Sequence, residues 1–217
     1  RIVIHLAHIK YAPTILATVD NSTERILFVS SLWRYSKIIS PDIQRVIDSE
    51  RLIELSELPW IIIRPSMIYG PGNDRNISRV VSLMRRCSIT PIIGSGCYHQ
   101  QQVFVGDVVS GLCSAIHASI HTTYDLAGPM SITYNELLDV IGATIGIKPR
   151  KIKLPVWLCI AVVRFFGVLR INIGLNLEQI LRLQEDKIYN IESAKCDLKF
   201  NPVSFERGLK MSIEEDL

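Results

Sequence analysis

Three short runs of almost unbroken aliphatic residues limit what this chain can fold into. They are Ile2 to Leu6 (IVIHL), Ile26 to Val29 (ILFV) and Trp60 to Ile63 (WIII). A strand with one face in water alternates apolar and polar residues. A strand that is apolar throughout is buried on both faces, as in a parallel sheet covered by helices on either side. The intervals supply such helices. Tyr11 to Val19 reads as one. Ser40 is a good N-cap with Pro41 at the first helical position, and Ile43, Val46, Ile47 and Ile53 recur at helical spacing up to about Leu55. Strand, helix, strand, helix, strand at this rhythm predicts a doubly wound α/β sheet.

After Arg64-Pro65 the rhythm changes. Ile77 to Arg86, Val108 to Ala118 and Thr133 to Ile145 read as helices, and Val103 to Val105 and Tyr124 to Leu126 as short strands. This second half is α+β in character. The most apolar stretch is Pro155 to Leu169 (PVWLCIAVVRFFGVL), with Arg164 inside it. It falls short of the roughly 20 apolar residues that span a bilayer. It reads as a buried or lid helix, or as one lying on a membrane surface.

Composition excludes some classes. The net charge of the 217 residues is +3 and the basic residues are scattered, so no nucleic-acid surface is indicated. The five cysteines show no CxxC spacing, which argues against a zinc site or a disulfide framework and for a reducing, cytoplasmic compartment. His5 and His8 stand three apart without a carboxylate cluster, so no metal is expected. No signal-peptide pattern opens the chain. Arg1 leads directly into the first apolar run, which predicts that a further segment precedes it.

Five short motifs in order resemble one superfamily. His5-Leu6-Ala7-His8 resembles the box ending the fourth Rossmann strand, and Phe28-Val29-Ser30-Ser31 the box ending the fifth. Arg64-Pro65-Ser66-Met67-Ile68-Tyr69-Gly70-Pro71-Gly72 resembles the RPxxxYGPG box after the sixth. Gly94-Ser95-Gly96, followed by Val103 to Val108, and Tyr124-Asp125-Leu126-Ala127-Gly128 resemble two later ones. The family is the atypical extended short-chain dehydrogenases/reductases, that is, the NAD-dependent epimerases and dehydratases. The resemblance implies the later half of a Rossmann-like sheet of six or seven parallel strands. It implies a partial NAD(P)-binding domain over 1–68. A smaller α+β substrate domain follows over 69–217, with segments near 103–118 returning to the first. The family's glycine-rich GxxGxxG loop, which holds the cofactor pyrophosphate, does not occur in these residues.

The resemblance also assigns roles. Ser31 takes the place of the catalytic hydroxyl that hydrogen-bonds the reacting group. Backbone at Leu6, Ala7, Ser30, Pro65 and Met67, with His8 beside them, takes the place of the NAD or NADP contacts. Tyr69, Asn73, Arg75 and Gln100 fall at substrate-binding places, Gln100 where an arginine usually binds a diphosphate. The family's Tyr-x-x-x-Lys pair, a proton-transferring tyrosine whose pKa the lysine lowers, is followed by a Glu four residues after the lysine. Glu50 fits that Glu, which puts Val46 at the lysine and Asp42 at the tyrosine. Neither can do the chemistry, and Tyr35 with Lys37, and Tyr69, are the substitutes considered.

Two functions are therefore expected. One is an NAD(P)-dependent epimerase, dehydratase or reductase acting on a sugar hydroxyl or keto group, with a sugar or nucleotide-sugar substrate. The other is a catalytically inactive NAD(P)-holding structural or assembly protein with peripheral membrane contact through 155–169. The resemblance also implies a homodimer through 11–19 and 41–55.

Overall fold

The computed structural model describes residues 1–20, 22–71, 74, 76–87, 89–168 and 176–215. In chain order the strands are β1 (Ile2–His5), β2 (Arg25–Val29), β3 (Trp60–Pro65), β4 (Ile68–Tyr69), β5 (Ile89–Ile93), β6 (His99–Gln100), β7 (Val103–Phe104), β8 (Thr122–Leu126), β9 (Ile132–Thr133) and β10 (Arg150–Leu154). The helices are α1 (Ala12–Thr18), α2 (Pro41–Glu54), α3 (Ile77–Arg86), α4 (Val105–Ala115), α5 (Tyr134–Thr144), α6 (Val156–Val168), α7 (Leu177–Arg182), α8 (Glu192–Leu198) and α9 (Phe205–Glu215). These form two compact units, each drawn from separated segments. Unit 1 comprises Arg1–Ile68, Gln101–Pro129 and Tyr189–Phe205. Unit 2 comprises Tyr69–Gln100, Met130–Ile188 and Glu206–Leu217.

Unit 1 is built on a parallel sheet of order β1-β2-β3-β8. The apolar strands divide their side chains between two layers, as two-sided burial requires. Ile26, Phe28, Trp60 and Ile62 face Ile9, Ala12, Val46 and Ile53, from the α1–α2 layer and the turn before it. Leu27, Ile61, Ile63, Tyr124 and Leu126 face Val108, Ala115, Ala194, Leu198 and Phe200, on and around α4 and α8. The Ser40 hydroxyl caps α2 by accepting from the Ile43 amide, and Pro41 opens the helix. Among the described residues edge strand β1 pairs with β2 alone, and Ile2 and Ile4 are 44% and 43% exposed.

Helix α4 starts at Val105, three residues before the sequence suggests. Asp107 thus falls in its first turn, where a carboxylate is favoured by the helix dipole. There it accepts from the Val203 amide at 2.9 Å.

Unit 2 holds a parallel pair, β5 with β10, in register from Ile89↔Arg150 to Ile93↔Leu154, and an antiparallel pair, β6 with β9. Gly94 and Gly96, with φ of +82° and +70°, turn the chain out of β5. A Cβ on Gly94 would collide with the Gln184 amide, which donates to the Ile93 carbonyl. Thr133 and Glu136 form a reciprocal capping box on α5. Helix α6 turns Leu158, Cys159, Val162 and Val163 to a cavity, while Trp157 and Phe165 are 69% and 62% exposed. Among the described residues no helix is long and apolar enough to cross a membrane.

Candidate functional site

The carboxyl ends of the unit 1 strands carry a dense polar cluster. Arg64, the first charged residue after the β3 aliphatic run, is 5% exposed, and Glu50 of α2 is fully buried. A charge at such a depth persists only if paired. Arg64 donates to Glu50 through Nη2 at 2.7 Å and through Nε at 3.0 Å, both to Oε2. Ser30 Oγ, at the end of β2, donates to Oε1, and Arg34 Nη1 to Oε2 of the same carboxylate. Arg64 Nη1 donates to the Tyr35 hydroxyl at 3.2 Å and lies 3.7 Å from Asp125 Oδ1 on β8. Asp125 stands beside Arg64 because the β3–β8 register puts it there. Burial raises the Asp125 carboxyl above its ordinary value, against the pull of Arg64. Burial, with Asp125 next, raises the Tyr35 phenol as well.

Solved structures of known activity share this fold. The UDP-glucuronic acid 4-epimerase of Bacillus cereus in complex with NAD superposes with a TM-score of 0.74 at 15% identity, over 94% of this chain and 65% of that one. The UDP-glucose 4-epimerase of Thermotoga maritima with UDP-glucose gives 0.74 at 18% identity, over 99% and 76%. The dTDP-glucose 4,6-dehydratase of Bacillus anthracis in complex with NAD gives 0.74 at 18% identity, over 99% and 72%. This chain has the fold of the NAD-dependent epimerases and dehydratases. No family model matches it. Subunit 9 of the NADH dehydrogenase [ubiquinone] 1 alpha subcomplex, mitochondrial, of Arabidopsis thaliana is 29% identical over 163 residues, 66% of this chain. The chain spans 40% of the length of that curated relative.

Within this epimerase/dehydratase fold the expected site residues separate into groups. Leu6, Ala7 and His8 follow β1 at its carboxyl end and are exposed. The His8 Nδ1 accepts from the Lys10 amide. Pro65 is buried, and Met67 is half-buried with its carbonyl accepting from the Val103 amide. Ser30 belongs to the Glu50 cluster. The Ser31 hydroxyl caps the short 3-10 turn Leu32–Tyr35 by accepting from the Trp33 amide at 3.2 Å.

Asp42 is exposed and holds Arg45 at 2.7 Å, whereas Val46 is 3% exposed within the apolar α1–α2 layer. Tyr35, one of the substitutes considered, has its phenolate disfavoured by desolvation of the hydroxyl and by Asp125.

Two expected substrate residues lie in unit 2. Tyr69 is buried and lines a cavity of about 130 Å³ with Asp74, Ser78 and Arg85. Gln100 is buried, accepts from Lys187 Nζ at 3.3 Å and lines the larger cavity under α6. Asn73 and Arg75 lie outside the described residues.

Sequence reasoning left Arg34, Arg64, Asp125 and Lys187 without roles. Arg64 carried a signal: an arginine directly after an unbroken buried strand implies a buried anion beside it. Lys187 carried none.

Proposed function

We propose that this protein holds NAD or NADP at the carboxyl ends of the unit 1 strands and performs no tyrosine–lysine proton transfer of its own. Val46 carries the reading. An aliphatic side chain packed into the α1–α2 layer occupies the lysine's place, so nothing there lowers a tyrosine pKa or binds the cofactor ribose.

The residues present fit the nicotinamide side of the cofactor. Leu6, Ala7, Ser30, Pro65 and Met67 gather at the strand ends, where such sheets take their ligands. The Nε2 of His5 and the Oγ of Ser66, both buried at these ends, find no partner among the described atoms. When bound, the dinucleotide supplies hydride chemistry; the chain's own part is to seat and orient it. The relative is named as a subunit of a larger NADH dehydrogenase assembly, which lends some support to a structural or assembly role. The outward residues of α6, Trp157 and Phe165, are the candidates for peripheral membrane contact.

The test is NADH and NADPH binding by fluorescence on the natural full-length protein, alongside assays with UDP-glucose. Binding without turnover is the expected result. Conversion of UDP-glucose to another sugar nucleotide, followed by NMR, that disappears in Ser31→Ala would overturn the reading and restore the second one, a nucleotide-sugar epimerase or dehydratase, in which NAD is reduced and re-oxidised within each turnover. That alternative draws its support from the sugar nucleotides and NAD named for the solved relatives. It is weakened by Gln100, which puts an uncharged amide at the expected diphosphate contact.

A further inference from the structure

The larger cavity of unit 2 has a composition that a nucleotide sugar does not match. It measures about 390 Å³. Pro91 and Ile93 on β5, Leu154 at the end of β10, Leu158, Val162 and Val163 on α6, and Leu183 form most of its wall. Its polar side chains are few: Gln100, the Tyr134 hydroxyl and the Cys159 thiol. A sugar diphosphate brings many hydroxyls and two charges, each of which needs a partner when taken from water. This wall offers few. A hydrocarbon needs no partners and gains about 0.8 kcal/mol for each methylene buried. A cavity of roughly 150 Å³ lined by aliphatic and aromatic side chains holds benzene, so this one accommodates a chain of roughly a dozen carbons.

One end of the cavity is not apolar. Gln100, in its wall, accepts through Oε1 from the Nζ of the adjacent Lys187 at 3.3 Å. Among the described residues this is the ammonium's one hydrogen-bond acceptor. An ammonium has three donors, so two have no acceptor among the described residues. Arg182 adds positive charge nearby and is itself paired with Glu178 at 2.8 Å, and Glu185 is the acid that acts on Lys187. Burial, with Arg182 second, lowers the Lys187 ammonium to about 8 against the weaker pull of Glu185.

We propose that the unit 2 cavity binds the hydrocarbon chain of an anionic amphiphile, with its carboxylate or phosphate head against Lys187 at the Gln100 end. Leu158, Val162 and Val163 of α6 close over the chain. The proposal is independent of whether unit 1 holds a dinucleotide, and no result below bears on that reading.

The experiment measures binding of dodecanoate, dodecyl phosphate, dodecanol and UDP to the intact protein by calorimetry. Alkylation of Cys159 is followed by peptide-resolved mass spectrometry, which separates this thiol from the four exposed ones. Dodecanoate or dodecyl phosphate is expected to bind and to slow Cys159 alkylation at least fivefold, and UDP to do neither. A preference for the carboxylate points to a fatty acid, and one for the phosphate to a lipid phosphate. Lys187→Gln is expected to weaken the anionic probes about tenfold, the size of one charged hydrogen bond, and to leave dodecanol unchanged. Val163→Trp, checked for folding by circular dichroism, is expected to abolish binding of all three dodecyl probes. Cys159 protection by UDP, or no protection by any dodecyl probe, overturns the proposal. Equal loss of dodecanol and dodecanoate in Lys187→Gln overturns the head-group assignment.

Discussion

Arg64 and Glu50 meet inside unit 1 with Nη2 and Oε2 2.7 Å apart, the arginine 5% exposed and the glutamate not at all. Two further donors, Ser30 Oγ and Arg34 Nη1, converge on the same carboxylate. Every lone-pair direction of Glu50 is therefore engaged, and the arrangement ties α2 to the ends of β2 and β3. Glu50→Gln takes from Arg64 its nearest anion, leaving Glu54 at 3.5 Å and Asp125 at 3.7 Å, and should destabilise the protein by about 1.5–3 kcal/mol, the size of a hydrogen bond to a charged group. Urea unfolding measures it. A loss below about 1 kcal/mol would show that the cluster does not hold the sheet ends.

Asp125 gives this region a pH signature. Its carboxyl is raised in the folded protein by burial. Between the ordinary aspartate value and the raised one, the folded state keeps a proton that the unfolded state has lost. Stability therefore falls as pH rises through that window, since the slope follows the protons bound in the unfolded state minus those in the folded. Asp125→Asn should remove this contribution and be neutral or stabilising at pH 7. If unfolding titrations of the two proteins run parallel from pH 3 to 7, Asp125 is not the source.

The replaced catalytic pair yields a prediction against simple repair. Val46 packs with Ile9, Ala12, Ile53 and Ile62. Val46→Lys puts an ammonium into that layer and should cost ~3 kcal/mol or more. Combined with Asp42→Tyr it should bring no turnover, measured by NMR as conversion of UDP-glucose to another sugar nucleotide. Turnover in the double variant at unchanged stability would mean that the lysine reaches the cofactor face and that the layer is looser than its burial indicates.

The parts of this fold that the sequence discloses are those written in short-range chemistry. The runs Ile26–Val29 and Trp60–Ile63 announce two-sided burial, and Ser40-Pro41 announces a helix start, whereas Ile2 and Ile4 of the first run, read the same way, are exposed on an edge strand. The β5–β10 pair is hidden, because Pro91 interrupts one strand and lysines alternate through Arg150–Leu154. The polar cluster is hidden for a different reason. Glu50 is recognisable by its place after the Tyr/Lys positions, but Asp125 reaches Arg64 only through strand register, and Arg34 only through the turn that Ser31 caps. Lys187 precedes no motif and becomes visible only once β6 places Gln100 beside it.

Lys187 also sets the sign of the alkaline limb of the stability curve. Burial and Arg182 lower its ammonium from the ordinary 10.5 to about 8 in the folded protein. Between those values the unfolded chain holds a proton that the folded one has released, so stability rises with pH across the window and the charged lysine is a burden below it. Lys187→Gln removes the burden. The variant should be more stable than the parent at pH 7, and the gap should close by pH 10.5. The proximity of Arg182 contributes to the burden, so Arg182→Gln should give a smaller shift of the same sign, partly offset by the lost pairing with Glu178. Thermal unfolding of the three proteins at pH 7, 8.5 and 10 decides the matter. A Lys187→Gln variant less stable than the parent at pH 7 would mean that the lysine has found an anion in the folded protein.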